Sequence, residues 1–338
     1  MRATIGLLAV ATFTLLAAAV AAQQGRGGVP TWAYAATGRG FMPDPDDGQP
    51  KHLPGSARSY TYPQIQDAFS PVDWYPSDHP RMPDVPVAHG RRPDVRACAW
   101  CHLPNGIGYA DSAAIAGLPA IYMTEQLTYF KLGLRTSSVT GNSIMGTIVR
   151  ALTERELKDA VDYYAGLRRP RTSLIKVVEA TTVPTTRIVA DNLRIPLDPT
   201  ETEPLGQRIV ELPENAARTR LRDAHSTFVA YVPVGSIRRG LGLVKTGARL
   251  VDGKIAVDKA LACPTCHGTT LRGMPPAPGT KTPTPALAGM SPTYIVRQLY
   301  DFQSGSRGGE SAAVMKPVVA QLSVDDMIAI AAYLSSRP

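Results

Sequence analysis

The feature that most limits what this chain can be is the placement of its cysteines. The 338-residue sequence holds four. They fall in two copies of one pentapeptide pattern, Cys98-Ala-Trp-Cys101-His102 and Cys263-Pro-Thr-Cys266-His267. On one turn of helix, positions i, i+3 and i+4 share a face, so each copy brings two thiols and an imidazole together. Zinc-binding Cys pairs usually lie about 15 to 20 residues apart, whereas these begin 165 residues apart. A thioredoxin-like dithiol calls for a βαβ setting, which the flanking sequence lacks. A disulfide inside each pair would leave two identical His placements unexplained. The pattern does match c-type haem attachment, in which two thiols add to the vinyl groups on one porphyrin edge and the His faces the iron. The expectation is two covalently bound haem c groups. Cys98, Cys101, Cys263 and Cys266 would form the thioethers, and His102 and His267 would be axial ligands.

The N-terminus points to export, the setting in which the cysteine pattern has to be read. Residues 1–22 read as a signal peptide, with Arg2 as the positive start, an Ala/Leu-rich apolar run and Ala19-Val20-Ala21 as a small-x-small cleavage site. The alternative is an uncleaved anchor, since the uncharged run is barely long enough to span a bilayer. The expected location is the periplasm, with membrane contact only through partners or such an anchor. No other stretch is long and apolar enough to suggest several spans. The formal charge of +8 is weak evidence for nucleic-acid binding, because the Lys and Arg are scattered without interleaved aromatics. Four haem propionates would offset much of it.

The chain also repeats itself. Residues 117–135 and 289–307 share Gly, Tyr, Gln, Leu, Phe, Gly and Arg, seven identities in nineteen positions without a gap. A second match aligns Met145 and the residues after it with Met315 and its own. Ser291-Pro292 gives a helix start, and Thr153 to Glu156 and Ser323 to Asp326 read as capping boxes. Each unit is therefore expected to hold a C-x-x-C-H helix, a loop, a helix, a loop carrying one Met, and a final amphipathic helix. The aligned pair Met145 and Met315 supplies the candidate sixth ligands, because a thioether is a soft ligand that raises the reduction potential. Rivals are Met123 in the first unit, Met274 and Met290 in the second, and His52, His79, His89 or His225 in a bis-His or switching haem.

Cys263 to Ser336 carries C-x-x-C-H-G, P-x-L-A-G-x-S-P-x-Y-x-x-x-Q-L-x-x-F-x-x-G-x-R, a Met, and L-S-x-x-D-x-x-x-x-A-x-Y-L. This resembles a class I cytochrome c, nearest to the dihaem cytochrome c4 type and related cytochrome c553 domains. Cys98 to Leu167 resembles it more loosely. The resemblance implies all-α haem domains, His/Met-ligated low-spin iron and electron carriage in the periplasm. It also implies that Pro285 offers its carbonyl to the ring N–H of His267. The position aligned with Pro285 in the first unit is Ala113, and His102 is followed by Leu103 where the family has Gly.

The expected fold class is mainly α: two class I cytochrome c-like haem domains, a Pro-rich N-terminal extension and a long, partly extended inter-domain segment. The expected division is 1–22 signal peptide, 23–90 Pro-rich extension, 91–168 first cytochrome c domain, 169–234 linker or clasp and 235–338 second cytochrome c domain. Thirty prolines, nearly twice the usual share of about 5%, favour loop and extended chain. The second unit has the family's leading helix at 236–247. The first has a proline-broken run before Cys98, a poor helix. Runs at 175–178 and 228–232 look like strands, and the added segments are expected to cover haem edges and clasp the two domains. The expected function is electron carriage between periplasmic redox proteins, with no catalytic residues and no nucleic acid. The alternatives are an electron-transfer subunit of a periplasmic dehydrogenase, or a dihaem peroxidase or sulfur oxidoreductase with one accessible haem.

Overall fold

A computed structural model describes residues 28–34, 46–110, 112–169, 174–189, 193–198, 200–251, 254–258, 261–276 and 281–338. The expected signal peptide at 1–22 lies outside them. Among the described residues, no single helix is long and apolar enough to cross a membrane.

The first unit is built from α1 (Cys98–His102), α2 (Ala120–Lys131), α3 (Ile144–Arg150) and α4 (Glu154–Gly166). The capping box of α4 is formed: Glu156 N–H donates to Thr153 Oγ1 at 3.2 Å and Thr153 N–H to Glu156 Oε2 at 2.8 Å. Its apolar stripe buries Ala160, Val161, Tyr163 and Tyr164. Among the described residues, no α-helix stands between residues 66 and 97, directly ahead of α1. Asp84–Ala88 makes a short turn containing the cis Val85–Pro86 bond, and this turn packs on α1 and α4.

Next comes a β-rich segment. Strands β1 (Ile175–Glu179), β2 (Val210–Pro213) and β3 (Phe228–Val232) form one sheet in the order β1-β3-β2. β1 runs parallel to β3, Ile175 opposite Phe228, and β2 runs antiparallel, Leu212 opposite Val229. The alternation expected of a half-buried strand places Ala230 and Val232 of β3 in the main core, each fully buried. The segment expected to be a linker is therefore woven into the interior.

The second unit contains α5 (Ser236–Thr246), α6 (Cys263–His267), α7 (Pro292–Ser304), α8 (Glu310–Val319) and α9 (Val324–Ser335). Ser291 caps α7 by accepting from Tyr294 N–H at 3.2 Å. The Ser323–Asp326 capping box of α9 is also formed. One expectation changes here. The final helix is not amphipathic in its setting, because every residue from Asp326 to Ser335 is buried. Its run Met327-Ile-Ala-Ile-Ala-Ala is apolar all round, and α5, α7 and β1 pack on it. The crossing with α5 is close: a Cβ on Gly240 would lie 1.9 Å from the Ala329 carbonyl oxygen.

The extension is not a free tail where it is described. Arg297 donates to the Ala33 carbonyl at 2.9 Å and Tyr34 Oη to Asp301 at 2.7 Å, so residues 28–34 lie on α7. A second hydrophobic cluster joins Leu53, Ile65 and Trp74 of the extension to Leu103 and Tyr109 after α1, and to Leu193 and Ile195 of the β-rich segment. Trp74 Nε1 donates to the Leu221 carbonyl at 2.7 Å.

Candidate functional site

Both pentapeptides form one helical turn, and the chain leaves each turn in the same way. Leu103 and Gly268 follow the two His residues with φ of 61° and 81°. Gly108 N–H then donates to the His102 carbonyl at 3.0 Å, and Gly273 N–H to that of His267 at 3.0 Å. The backbone carbonyl four residues past each His, Gly106 or Leu271, accepts two N–H groups from the returning strand, those of Ile115 and Ala116 or of Leu287 and Ala288. A positive φ with extended ψ, 158° at Leu103, costs an ordinary residue about 1–3 kcal/mol. Leu103 adopts it because its side chain is 3% exposed and sits in the cluster with Trp74. Burial holds the non-glycine residue in the turn.

This turn aims each imidazole. His102 Nδ1 lies 2.9 Å from the Ala113 carbonyl and His267 Nδ1 2.8 Å from that of Pro285. A carbonyl only accepts, so Nδ1 carries the proton and Nε2 is left with its lone pair. The expected Pro285 bond is present. The first unit keeps the same bond through Ala113, since only the backbone oxygen is used. Burial lowers the pKa of both His residues, opposed by these carbonyl bonds, and Arg307 lowers His267 further. Both imidazoles are thus neutral, the form that binds a metal. Burial and the neighbouring Cys101 push the Cys98 thiol up to about 12. Two thiols on one helical turn beside a neutral, oriented imidazole form a donor set that fits haem c.

The candidate methionines are not in loops. Met145 is in the first turn of α3, and Met315 is in α8, two residues before Pro317. Both are half-buried. Short helices form here because packing rewards them: α3 buries Gly146, Ile148 and Val149, and α8 buries Ala312 and Val319. Among the rivals, Met123 and Met290 are buried in the main core, and Met274 is exposed, its backbone bridged to Thr284. The spare His residues have other partners. His79 lies 3.3 Å from Asp73 and 3.0 Å from Tyr163 Oη. His89 is beside Asp84, His225 is stacked on Tyr75, and exposed His52 sits in a two-residue strand opposite Ser59.

Sequence reasoning noted the shared Tyr, Gln and Arg of the repeat without giving them a task. In the structure they meet. Arg135 donates to Gln126 of its own unit at 2.9 Å and to Gln298 of the other at 2.8 Å. Arg307 mirrors this, reaching Gln298 at 2.7 Å and Gln126 at 3.0 Å. Each Arg also approaches the other unit's tyrosine, Tyr294 or Tyr122. A β-bridge joins Arg135 and Arg307. The two units are thus joined through their most similar residues, by a reciprocal exchange. Burial, then the second guanidinium, lowers the Arg135 pKa.

Comparison with known proteins agrees with this chemistry. Residues 245–338 match the family described as Cytochrome c. The thiosulfate dehydrogenase electron acceptor of Stutzerimonas stutzeri is 43% identical over 79 residues, 23% of this chain and 33% of that protein. Cytochrome c-554(548) of Halomonas halodenitrificans is 37% identical over 86 residues, 25% of this chain and 96% of that protein. Cytochrome c4 of Azotobacter vinelandii is 30% identical over 134 residues, 38% of this chain and 60% of that protein. The chain thus spans a third of the first relative and nearly all of the second. With its two matching histidine-bearing turns, the chain belongs to the cytochrome c family.

Proposed function

We propose that this protein is a periplasmic dihaem electron carrier with two haem c groups, each held between a His and a Met. Cys98 and Cys101 attach the first group, with His102 and Met145 on its iron. Cys263 and Cys266 attach the second, with His267 and Met315. When bound, each group supplies a one-electron Fe(III)/Fe(II) couple. The chain's own residues do the rest. Ala113 and Pro285 fix the two imidazoles through Nδ1, keeping Nε2 aimed and basic. The α2 and α7 helices, joined through Gln126, Arg135, Gln298 and Arg307, hold the two units in one relation. The domain division 91–168 and 235–338 belongs to the same proposal, with 23–90 and 169–234 covering haem edges and clasping the two units.

The observation that carries this reading is the duplicated turn with its His Nδ1 bonded to a backbone carbonyl. Two fixed protein ligands per iron leave no position for substrate, which favours a carrier over a catalyst. The similarity to an electron-acceptor protein supports a specific role, in which a periplasmic dehydrogenase passes electrons to this chain. Partner docking through charged rims would then weaken as salt rises.

The test is haem counting and visible spectroscopy of the purified protein during a redox titration. Two haems per chain, both low-spin with the Met–Fe(III) charge-transfer band, is the expected result. One haem, or a high-spin haem, would overturn the assignment of Met145 or Met315 and make that site a candidate for peroxide or sulfur substrates.

A further inference from the structure

The first unit reaches into the helix that carries Met315. Helix α8 begins after Gly309, whose φ is 100°. A glycine has no side chain to cap a helix, so the first N–H groups of α8 need acceptors from elsewhere. Tyr129 of α2 supplies one. Its Oη accepts from Ser311 N–H at 3.3 Å and donates to Glu125 Oε1 at 2.7 Å. The hydroxyl proton is thus committed to Glu125, which leaves a lone pair for Ser311. The ring lies flat against the start of α8: a Cβ on Gly309 would fall 2.4 Å from Tyr129 Cζ. Tyr129 is 8% exposed. Around it, Gly308 N–H donates to the Leu134 carbonyl at 2.7 Å and Thr136 N–H to the Ser306 carbonyl at 2.8 Å, so the loops ahead of both Met-bearing helices are tied together.

Inside α8 the support is thin. In an α-helix each N–H donates to the carbonyl four residues back, so Met315 closes onto Ser311. Pro317 has no N–H to offer Ala313, and one bond just beyond Met315 is missing. The helix buries Ala312 and Val319 alone. Its N-terminal end therefore bears much of the anchorage. The repeat mirrors the arrangement. The second unit has Asp301 at the position aligned with Tyr129. Its carboxylate accepts from Ser138 N–H at 3.1 Å and Ser138 Oγ at 2.6 Å, in the loop ahead of α3 and Met145.

We propose that Tyr129 is a positioning residue for Met315, so that the first unit sets how firmly the second haem keeps its sixth ligand. This rests on the dihaem reading above. Met315 leaves its iron by local opening of α8, a helix with few buried contacts. The Tyr129 bond belongs to the closed form and lowers the open fraction. One cap hydrogen bond shifts such an equilibrium about fivefold. An outside ligand takes the sixth position in the open form alone, so its apparent affinity follows the open fraction. A Met ligand raises the reduction potential, so the contact also ties the couple of the second haem to the first unit.

The test is an imidazole titration of the oxidised holoprotein. In the exchange the Met sulfur–Fe(III) bond breaks and an imidazole nitrogen–Fe(III) bond forms, with no change of oxidation state. Loss of the Met–Fe(III) charge-transfer band follows it. The two sites are told apart by the haem-shifted NMR signals of the Met methyl groups, that of the second haem being the one absent in Met315→Leu. Tyr129→Phe keeps the ring on Gly309 and removes the acceptor. It should raise imidazole affinity about fivefold at the second haem and leave the first, in whose unit it lies, unchanged. Hydrogen exchange should show residues 311–316 losing protection while 144–150 keep theirs. Glu125→Ala frees the hydroxyl proton to turn toward Ser311 and should act on the same haem by less. The proposal is overturned if Tyr129→Phe changes neither affinity, both equally, or the first alone. If Tyr129→Phe does not take up two haems, Glu125→Ala decides: a rise at the second haem supports the proposal and no change overturns it. A wild-type protein lacking two Met-ligated haems would sink the carrier reading itself. Two such haems with an unmoved second affinity in Tyr129→Phe would sink only this inference.

Discussion

The two units share a plan but differ in how it is covered. In the second, α5 leads in where the family resemblance implies a helix, and it packs on α9. In the first, that helix is replaced by the proline turn Asp84–Ala88, and cover comes from residues distant in the chain, Trp74 on one side and the β-rich segment on the other. One contact survives the replacement. Arg239 of α5 pairs with Asp326 of the α9 capping box at 2.8 Å, and Arg91 pairs with Glu156 of the α4 capping box. The comparison teaches that a lead-in can change its secondary structure and still meet the same helix N-terminus, because the acid of the capping box is a fixed electrostatic target.

The largest effect should come from removing borrowed cover. Trp74→Ala empties a buried ring site and is expected to cost about 3–5 kcal/mol. Hydrogen exchange followed by mass spectrometry should show residues 98–110 losing protection while 263–275 keep theirs. Equal loss in both would break the contrast between the units. The reverse experiment is Gly240→Ala. Its new Cβ would meet the Ala329 carbonyl oxygen at 1.9 Å, forcing α5 from α9 at about 3 kcal/mol. Here the second motif should lose protection first, and a thermal melt with the wild-type midpoint would refute the close crossing.

A smaller effect tests what the units share. Gln126 accepts from Arg135 and Arg307, so Gln126→Ala takes one acceptor from each guanidinium, at about 2 kcal/mol. A double-mutant cycle with Gln298→Ala should show coupling, and strict additivity would mean that the reciprocal exchange contributes nothing. The smallest effect is on acid stability. The Arg91 guanidinium, with help from Thr153, holds the Glu156 pKa down at about 2. A depressed carboxylate pKa stabilises the fold above its unfolded value and loses that contribution as pH falls through the folded one. Acid unfolding between about pH 4.5 and pH 2 should therefore be less steep in Glu156→Gln. An unchanged acid profile would show that the pair adds no stability.

Much of this was written in local sequence. The haem turns, both capping boxes, the helix start at Ser291-Pro292 and the repeat are short-range patterns. The turns, boxes and helix start each depend on residues a few positions apart on one helix, the repeat on matching two such stretches, and the structure places them as the spacing predicts. The Pro285 carbonyl was legible through resemblance, whereas the loss of proline at Ala113 pointed to a different backbone there, and the structure keeps the same bond. Other features were not legible, for reasons that are also physical. Met145 and Met315 lie on helices, not loops, because packing against neighbours outweighs weak local propensity in segments this short. The α9 helix is buried on all sides because three elements converge on it, which no single-helix pattern encodes.

By itself, then, the sequence determined the chemistry: two thiol pairs, two histidines and a duplicated helical frame, all set by covalent spacing. Tertiary structure decided everything that joins positions far apart in the chain. It threaded β3 through the core, let Leu103 take the place of a glycine, crossed Gln126 and Arg135 with Gln298 and Arg307, and laid Arg222 on Trp100. Such contacts lie 122 residues apart for Arg222 and Trp100 and 163 for Arg135 and Gln298. They arise only when burial of the shared core offsets the entropy of bringing such distant segments together.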